Sequence, residues 1–257
     1  MHFKTNALAH RAARAAHLAA RASLVAALAM TWMPQTMRAQ KDPLVIDNFQ
    51  TGGFKSPAET GGATSYTQNG AGIYGGTRNI NLVVSTGTGN LFALPAQVQV
   101  RPQPNTSATP SAFIVSAGFD VFTYMQLYYE GATTQSLNLN LADYNRIRLT
   151  FAGLVTVQDF NIEVYDNTGS WSDVSCGIGP FAPAGVGTVT LITLDIPKEN
   201  FGNTAAGSPV DWSNIELIDL IWEPGNLYGT NNFVLTEVSA ITATDPVGTA
   251  TCGAPAN

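Results

Sequence analysis

The chain has 257 residues, 45% of them hydrophobic and only 12% charged, with a formal net charge of −6. All three histidines (His2, His10, His17) and five of the 12 basic residues precede position 41, and all 18 acids follow it, so residues 41–257 carry a formal charge of −11. That stretch can bury one substantial core; its charge disfavours nucleic acid and anionic lipid, and its lack of imidazole excludes histidine-dependent triads and histidine-ligated metals.

In chain order, Lys4, Arg11, Arg14 and Arg21 stand in an acid-free, alanine-rich segment, followed by the apolar run Leu24 to Met33 and small residues near Ala39. A basic segment, a short apolar core and a small-residue end predict a secretory signal peptide over 1–40. The apolar run is short for a membrane span. An uncleaved amino-terminal anchor is the alternative reading. A secreted, extracellular or periplasmic location is therefore expected, with no membrane association after cleavage.

Pro43 to Phe49 predicts a first strand, and Tyr66 to Gly76 contains the Asn-Gly and Gly-Gly pairs that turn hairpins. Asn79 to Ser85, Leu91 to Val100, Ala112 to Val115, Phe119 to Tyr129 and Ser136 to Leu141 are further strands, interrupted by a proline-rich loop from Arg101 to Pro110. The strongest pattern lies between Asn145 and Gly169. There Ile147, Leu149 and Phe151 alternate with Arg146, Arg148 and Thr150, and Phe160, Ile162 and Val164 alternate with Asn161, Glu163 and Tyr165. Period two means two half-buried strands. Paired as a hairpin across Gly153 to Thr156, they would place Arg146, Arg148, Asn161, Glu163 and Tyr165 on one outward face, with Arg148 opposite Asn161 or Glu163.

Asn167 to Gly187 reads as a long polar excursion containing Trp171. Val189 to Ile196, Asn214 to Trp222 and Phe233 to Ile241 are the last strands. No helical window with good caps occurs after the leader. The expected fold is all-β: a single-domain antiparallel β-sandwich of jelly-roll type over 41–245, with a flexible tail over 246–257. Asp143-Tyr144 and Asp211-Trp212 each stand just before a buried strand, which suggests a repeated strand-entry device of turn-closing acid and plugging aromatic; chance is the alternative. Cys176 and Cys252 predict one disulfide in an oxidising compartment, against two free thiols.

The phrases IDNF, LADYNRIRLTFAG, TLDIPKENF, DWSNIELIDLIW and NNFVLTEVSAI, between Val45 and Ile241, resemble the galactose-binding-like jelly rolls of non-catalytic carbohydrate-binding modules. The resemblance implies a polysaccharide or cell-surface glycan as partner and no catalytic residues. It also implies a structural calcium ion at Asp47 and Glu237, completed by carbonyls and water. The closing strand, however, reads Thr236-Glu237-Val238 where such families often carry two adjacent acids. Two exposed acids without a cofactor is the alternative.

For a sugar, flat aromatic faces and hydroxyl-binding polar groups are needed. Trp171, in a polar loop after Gly169-Ser170, is the first candidate, with Tyr165, Tyr228, Arg146, Arg148, Asn161 and Glu163 completing the surface. Arg148 and Glu163 could equally be a plain cross-strand ion pair. A carboxylate glycosidase would draw on Glu216, Asp219 and Glu223. Strand parity sets Glu216 apart, and Asp219 and Glu223 fall roughly 13 Å apart at strand rise, too far for hydrolysis. An adhesive or matrix protein without a small ligand is the remaining alternative.

Overall fold

The two-residue alternation builds two stacked sheets. The computed structural model describes residues 41–86, 92–103, 110–118, 121–131, 137–154, 158–178, 191–203, 209–223, 232–248 and 250–252. Tyr228 and the leader lie outside them. Within them, the strands in chain order are β1 (Leu44–Asp47), β2 (Phe54–Lys55), β3 (Gly62–Asn69), β4 (Thr77–Val84), β5 (Ala96–Arg101), β6 (Ala112–Ala117) and β7 (Thr123–Glu130). There follow β8 (Arg146–Leu154), β9 (Gln158–Asp166), β10 (Trp171–Ile178), β11 (Ile192–Pro197), β12 (Gly202–Asn203), β13 (Ile215–Glu223), β14 (Phe233–Ile241) and β15 (Ala250–Thr251).

Sheet I runs β15-β11-β8-β14-β6-β5-β2, with β1 also on β14; sheet II runs β12-β10-β9-β13-β7-β4-β3. All pairings are antiparallel except β11 with β15. The chain passes repeatedly from one sheet to the other, between β2 and β3, β4 and β5, β6 and β7, β7 and β8, β8 and β9, β10 and β11, β11 and β12, and β13 and β14, as a jelly roll does. The expected sandwich is therefore present. The core between the sheets includes Leu149 and Phe151 from β8, Ile162 and Val164 from β9, Leu220 and Trp222 from β13, and Leu235 from β14, all buried. Trp222 stacks on Phe233 at 4.9 Å, joining the sheets by ring contact.

The expected hairpin of Ile147–Phe151 with Phe160–Val164 is not formed. β8 pairs with β11 and β14 in sheet I, whereas β9 pairs with β10 and β13 in sheet II. Alternation defines which side of a strand is apolar but not its neighbour. Here the two apolar sets face each other across the core rather than lying side by side.

The hairpin signal at Tyr66–Gly76 does mark a turn: β3 and β4 pair along their length, closed by a 3-10 turn at Tyr74–Gly76 in which Gly75 and Gly76 have φ of 75° and 81°. The excursion after Asn167 contains a strand, β10, on the edge side of β9. The strand-entry repeat is shared in its aromatics. Tyr144 is buried under Lys41 and Trp212 is partly buried under Lys198, with ammonium-to-ring distances of 4.4 and 5.1 Å. Its acids differ: Asp211 accepts from the Ser213 amide at 2.9 Å, while Asp143 pairs with Lys41 at 3.0 Å.

Cys176 of β10 and Cys252, just past β15, form the expected disulfide, Cα–Cα 5.5 Å. It ties sheet II to the tail of sheet I. Residues 242–248 lie against sheet I, Arg146 and Arg148 donating to the carbonyls of Thr242, Asp245 and Pro246 and the Gly248 amide donating to Asp195, and the Cys252 amide donates to the backbone carbonyl of Asp195.

Candidate functional site

Arg146 and Arg148 do not reach the Glu163 side of the molecule. Both converge on Asp195 of β11, which is fully buried: Arg146 Nη1 to Oδ2 is 2.9 Å and Arg148 Nε to Oδ1 is 2.6 Å. Arg146 also donates to the carbonyls of Thr242 and Asp245, at 2.8 and 2.9 Å, and the Gly248 amide donates to Asp195 Oδ2 at 2.7 Å. Two guanidinium forks and one carboxylate thus fasten the tail to sheet I as a strap. The surface expected to unite these arginines with Asn161, Glu163 and Tyr165 is divided between opposite sheets, because β8 and β9 are not neighbours.

Asp47 is likewise not an exposed acid. It lies in the interior with Arg78 Nη1 2.6 Å from Oδ2, and the Phe49 amide donates to Oδ1 at 2.8 Å. Burial pushes its carboxyl up, and the Arg78 charge pulls it back down. A cation here would meet a guanidinium already on the carboxylate, so Asp47 does not fit a calcium ligand. Glu237 sits half-buried on β14, opposite Thr150 of β8.

What remains is the outward face of sheet II, where alternation turns the polar residues of β9, β10, β13, β7, β4 and β3 to one side. Register aligns them in rows. Asp173, Glu163, Asp219, Tyr128, Asn79 and Thr67 stand side by side across six strands. The next row is Ser175, Asn161, Ile221, Gln126, Asn81 and Ser65. Beyond it lie Gly177, Asp159 and Glu223. On the other side Trp171 and Tyr165 are directly opposed on β10 and β9 and stack at 5.9 Å with 17° between planes. Trp171 is therefore a strand residue on this face and not a loop residue.

The polar groups are wired together. Tyr165 donates its hydroxyl to Glu163 Oε2 at 2.6 Å, and Asn161 donates to Oε1 at 3.3 Å. From the other side Asn81 donates to Gln126 at 2.8 Å, and Gln126 donates to Asp219 Oδ2. Asp219 is 5% exposed, and its Oδ1 has no hydrogen-bond partner. Burial first, then the neighbouring Glu163 charge, push its carboxyl up to about 7, against the Gln126 hydrogen bond. The Tyr165 phenol is pushed up by burial and by Glu163. A shallow, open depression of about 230 Å³ is lined by Asp159, Asn161, Ser175, Gly177 and Glu223. Gly177 helps to keep it open, since a Cβ there would stand 3.2 Å from Asp159 Oδ1.

Of the expected ligand residues, Trp171, Tyr165, Asn161 and Glu163 come together here. Gln126, Tyr124, Tyr128 and Asp173 join them without having been expected, and so does Asp219, which the sequence suggested only as a hydrolytic acid. The alternation of Tyr124, Gln126 and Tyr128 with Met125 and Leu127 was the available signal for the β7 members. Among the described residues, no basic side chain occupies an outward position of sheet II, Arg78 of β4 being turned inward.

No family model matches the chain, and no curated protein matches it. Among solved structures it is similar to the family 11 carbohydrate-binding module of the cellulosomal cellulase Lic26A-Cel5E of Clostridium thermocellum, at 15% identity over 79% of this chain and 95% of that one, TM-score 0.38. It is also similar to the Clostridium thermocellum family 11 module in complex with a β-1,3-1,4-mixed-linked tetrasaccharide, at 13% identity over 79% and 98%, TM-score 0.41. A third similarity is to an arabinose-bound α-L-arabinofuranosidase, at 12% identity over 79% of this chain and 26% of that one, TM-score 0.39.

Proposed function

We propose that this protein is a secreted, non-catalytic module that binds carbohydrate on the outward face of sheet II. The observation that carries the reading is the stacked Tyr165–Trp171 pair, set directly beside a hydrogen-bonded row of carboxylates and amides. A pyranose has an apolar ring face and a rim of hydroxyls, so it needs an aromatic platform with fixed acceptors and donors next to it. The leader-like sequence of residues 1–40 and the Cys176–Cys252 bridge support export.

Glu163 and Asp219 are directly opposed on neighbouring strands, which gives hydrolysis a second hearing. The hydrogen bonds weigh against it: Tyr165 and Asn161 engage both oxygens of Glu163, so it is not a free nucleophile or base, and Gln126 holds Asp219 through one oxygen. The test is retention of the purified protein on insoluble polysaccharides, with Trp171→Ala as comparison. Binding that drops by roughly tenfold or more in the variant is expected, in the range of a lost aromatic anchor. Unchanged retention removes Trp171 from the site, no retention on any polysaccharide removes the reading, and release of reducing sugar replaces it with an enzyme.

A further inference from the structure

The outward face of sheet II carries Asp159, Glu163, Asp173, Asp219 and Glu223 without a basic side chain among its described outward residues. That charge is one-sided even by the standard of an acidic protein, and it bears on which carbohydrate can lie there. A uronate or sulfated polymer would be repelled at every row.

A carboxylate cluster alone is only a solvated surface. Here one member is different: Asp219 is 95% buried, with Oδ1 lacking any hydrogen-bond donor. An unpaired buried carboxyl oxygen costs free energy until a donor arrives. Its surroundings tell which donor fits. Tyr128 faces it from β7, with Gln126 on its other oxygen; Glu163 faces it from β9, with Asp173 beyond on β10; Glu223 shares its own strand. The phenols of Tyr124, Tyr128 and Tyr165 are all pushed up by burial first and then by neighbouring carboxylates, Asp219 being among these for each. Three tyrosine rings therefore lie within electrostatic reach of this acid.

Tyrosine rings and carboxylates spread over neighbouring strands are a poor setting for a metal ion, which wants six or more oxygens or several nitrogen and sulfur ligands. Among the described residues no group of three or more His, Cys, Asp or Glu side chains is placed to hold one. The same setting suits an organic ammonium, which offers three N–H donors to carboxylates and a positive charge to ring faces. On a sugar ring the ammonium comes attached to an apolar face, for which the Tyr165–Trp171 pair is the adjoining platform.

Resting on the carbohydrate-binding reading above, we infer that the ligand class is an amino-sugar polymer with free, unacetylated amines, one ammonium seated over Asp219 and Glu163. Acetylation would remove both the charge and two of the three donors. Binding converts Asp219 from carboxylic acid to carboxylate, and the proton it loses goes to the buffer.

The test is calorimetric titration of the purified protein at about pH 6, below the Asp219 value of about 7 and above ordinary carboxylates. The probes are a short β-linked glucosamine oligosaccharide, its fully N-acetylated counterpart and a polyuronate of equal length. The glucosamine oligomer is expected to bind roughly tenfold or more tightly than the acetylated one, to weaken with added salt and to release protons. The polyuronate is expected not to bind. Asp219→Asn and Glu163→Gln should each weaken the glucosamine oligomer by more than the acetylated one, so that the preference for the free amine is lost. Equal or tighter binding of the acetylated oligomer, or a preference that survives both substitutions, overturns the amine assignment and leaves carbohydrate binding standing. Failure of both neutral and amine-bearing oligosaccharides, together with no retention on insoluble polysaccharide, overturns both.

Discussion

Asp47 and Arg78 meet in the interior with neither side chain exposed to solvent, Oδ2 2.6 Å from Nη1. The guanidinium also donates to Gln68 Oε1 at 2.8 Å and to the Thr51 carbonyl, and it lies 5.2 Å from the centre of the Phe49 ring. Each nitrogen of the guanidinium and each oxygen of the carboxylate thus has a partner, which is the condition under which two charges can be buried at all. Removing one partner strands the other. Arg78→Leu is expected to cost about 3–5 kcal/mol of unfolding free energy, read as a fall in the urea midpoint. A midpoint within error of the parent would show that the pair contributes nothing to stability.

Asp219 makes stability depend on pH in an uncommon direction. Its folded value, about 7, lies above the ordinary 3.8, so the folded protein holds this proton more tightly than the unfolded chain does. Its contribution therefore turns increasingly unfavourable as pH rises from about 4 to 7 and is constant above that. Asp219→Asn should raise stability by about 2–4 kcal/mol near pH 8 and change it little near pH 4. Thermal melts of both proteins across that range decide it; parallel curves would mean that Asp219 titrates normally.

The Cys176–Cys252 bridge closes a loop of sequence separation 76. Loop-closure entropy for that length gives about 4.5 kcal/mol. Replacing both cysteines with alanine should lower the denaturant midpoint accordingly, and reductant should reproduce the loss in the parent but not in the variant. A parent indifferent to reductant would contradict the bridge.

Gly248 is sterically locked to the clasp beneath it. A Cβ at that position would lie 2.7 Å from Asp195 Oδ1 and 2.8 Å from the Thr193 carbonyl oxygen. Since the latter is backbone, it cannot swing away. Gly248→Ala is expected to cost about 1–3 kcal/mol and to speed amide exchange in residues 242–248, with the sheet II amides unaffected. Unchanged exchange in the strap would show that it relaxes without cost.

The strands were legible because period two is a local signal: Ile147 to Phe151 and Phe160 to Val164 are buried as their alternation requires. Which strand neighbours which was not legible, since Arg148 can be matched to Glu163 or to Asp195 with equal respect for the pattern, and only the three-dimensional path selects Asp195. The candidate site suffered from the same ambiguity. Tyr165 and Glu163 could be read as outward, yet Asp219 joins them only through a pairing between residues 56 positions apart. Trp171 was found for a reason the structure replaces, as its exposure comes from opening an edge-side strand. Asp47 was misread because nothing local reveals that Arg78, 31 residues away, would be buried against it.

The strap gives the molecule a front and a back. On sheet I the charged groups of Arg146, Arg148 and Asp195 are spent on one another and on the chain's own carbonyls and amide, so those three have little left with which to greet a visitor. Sheet II keeps its acids and rings for whatever arrives. A particle of this kind, laid on a polymer, would turn the same side to it each time and leave the clasped side looking outward.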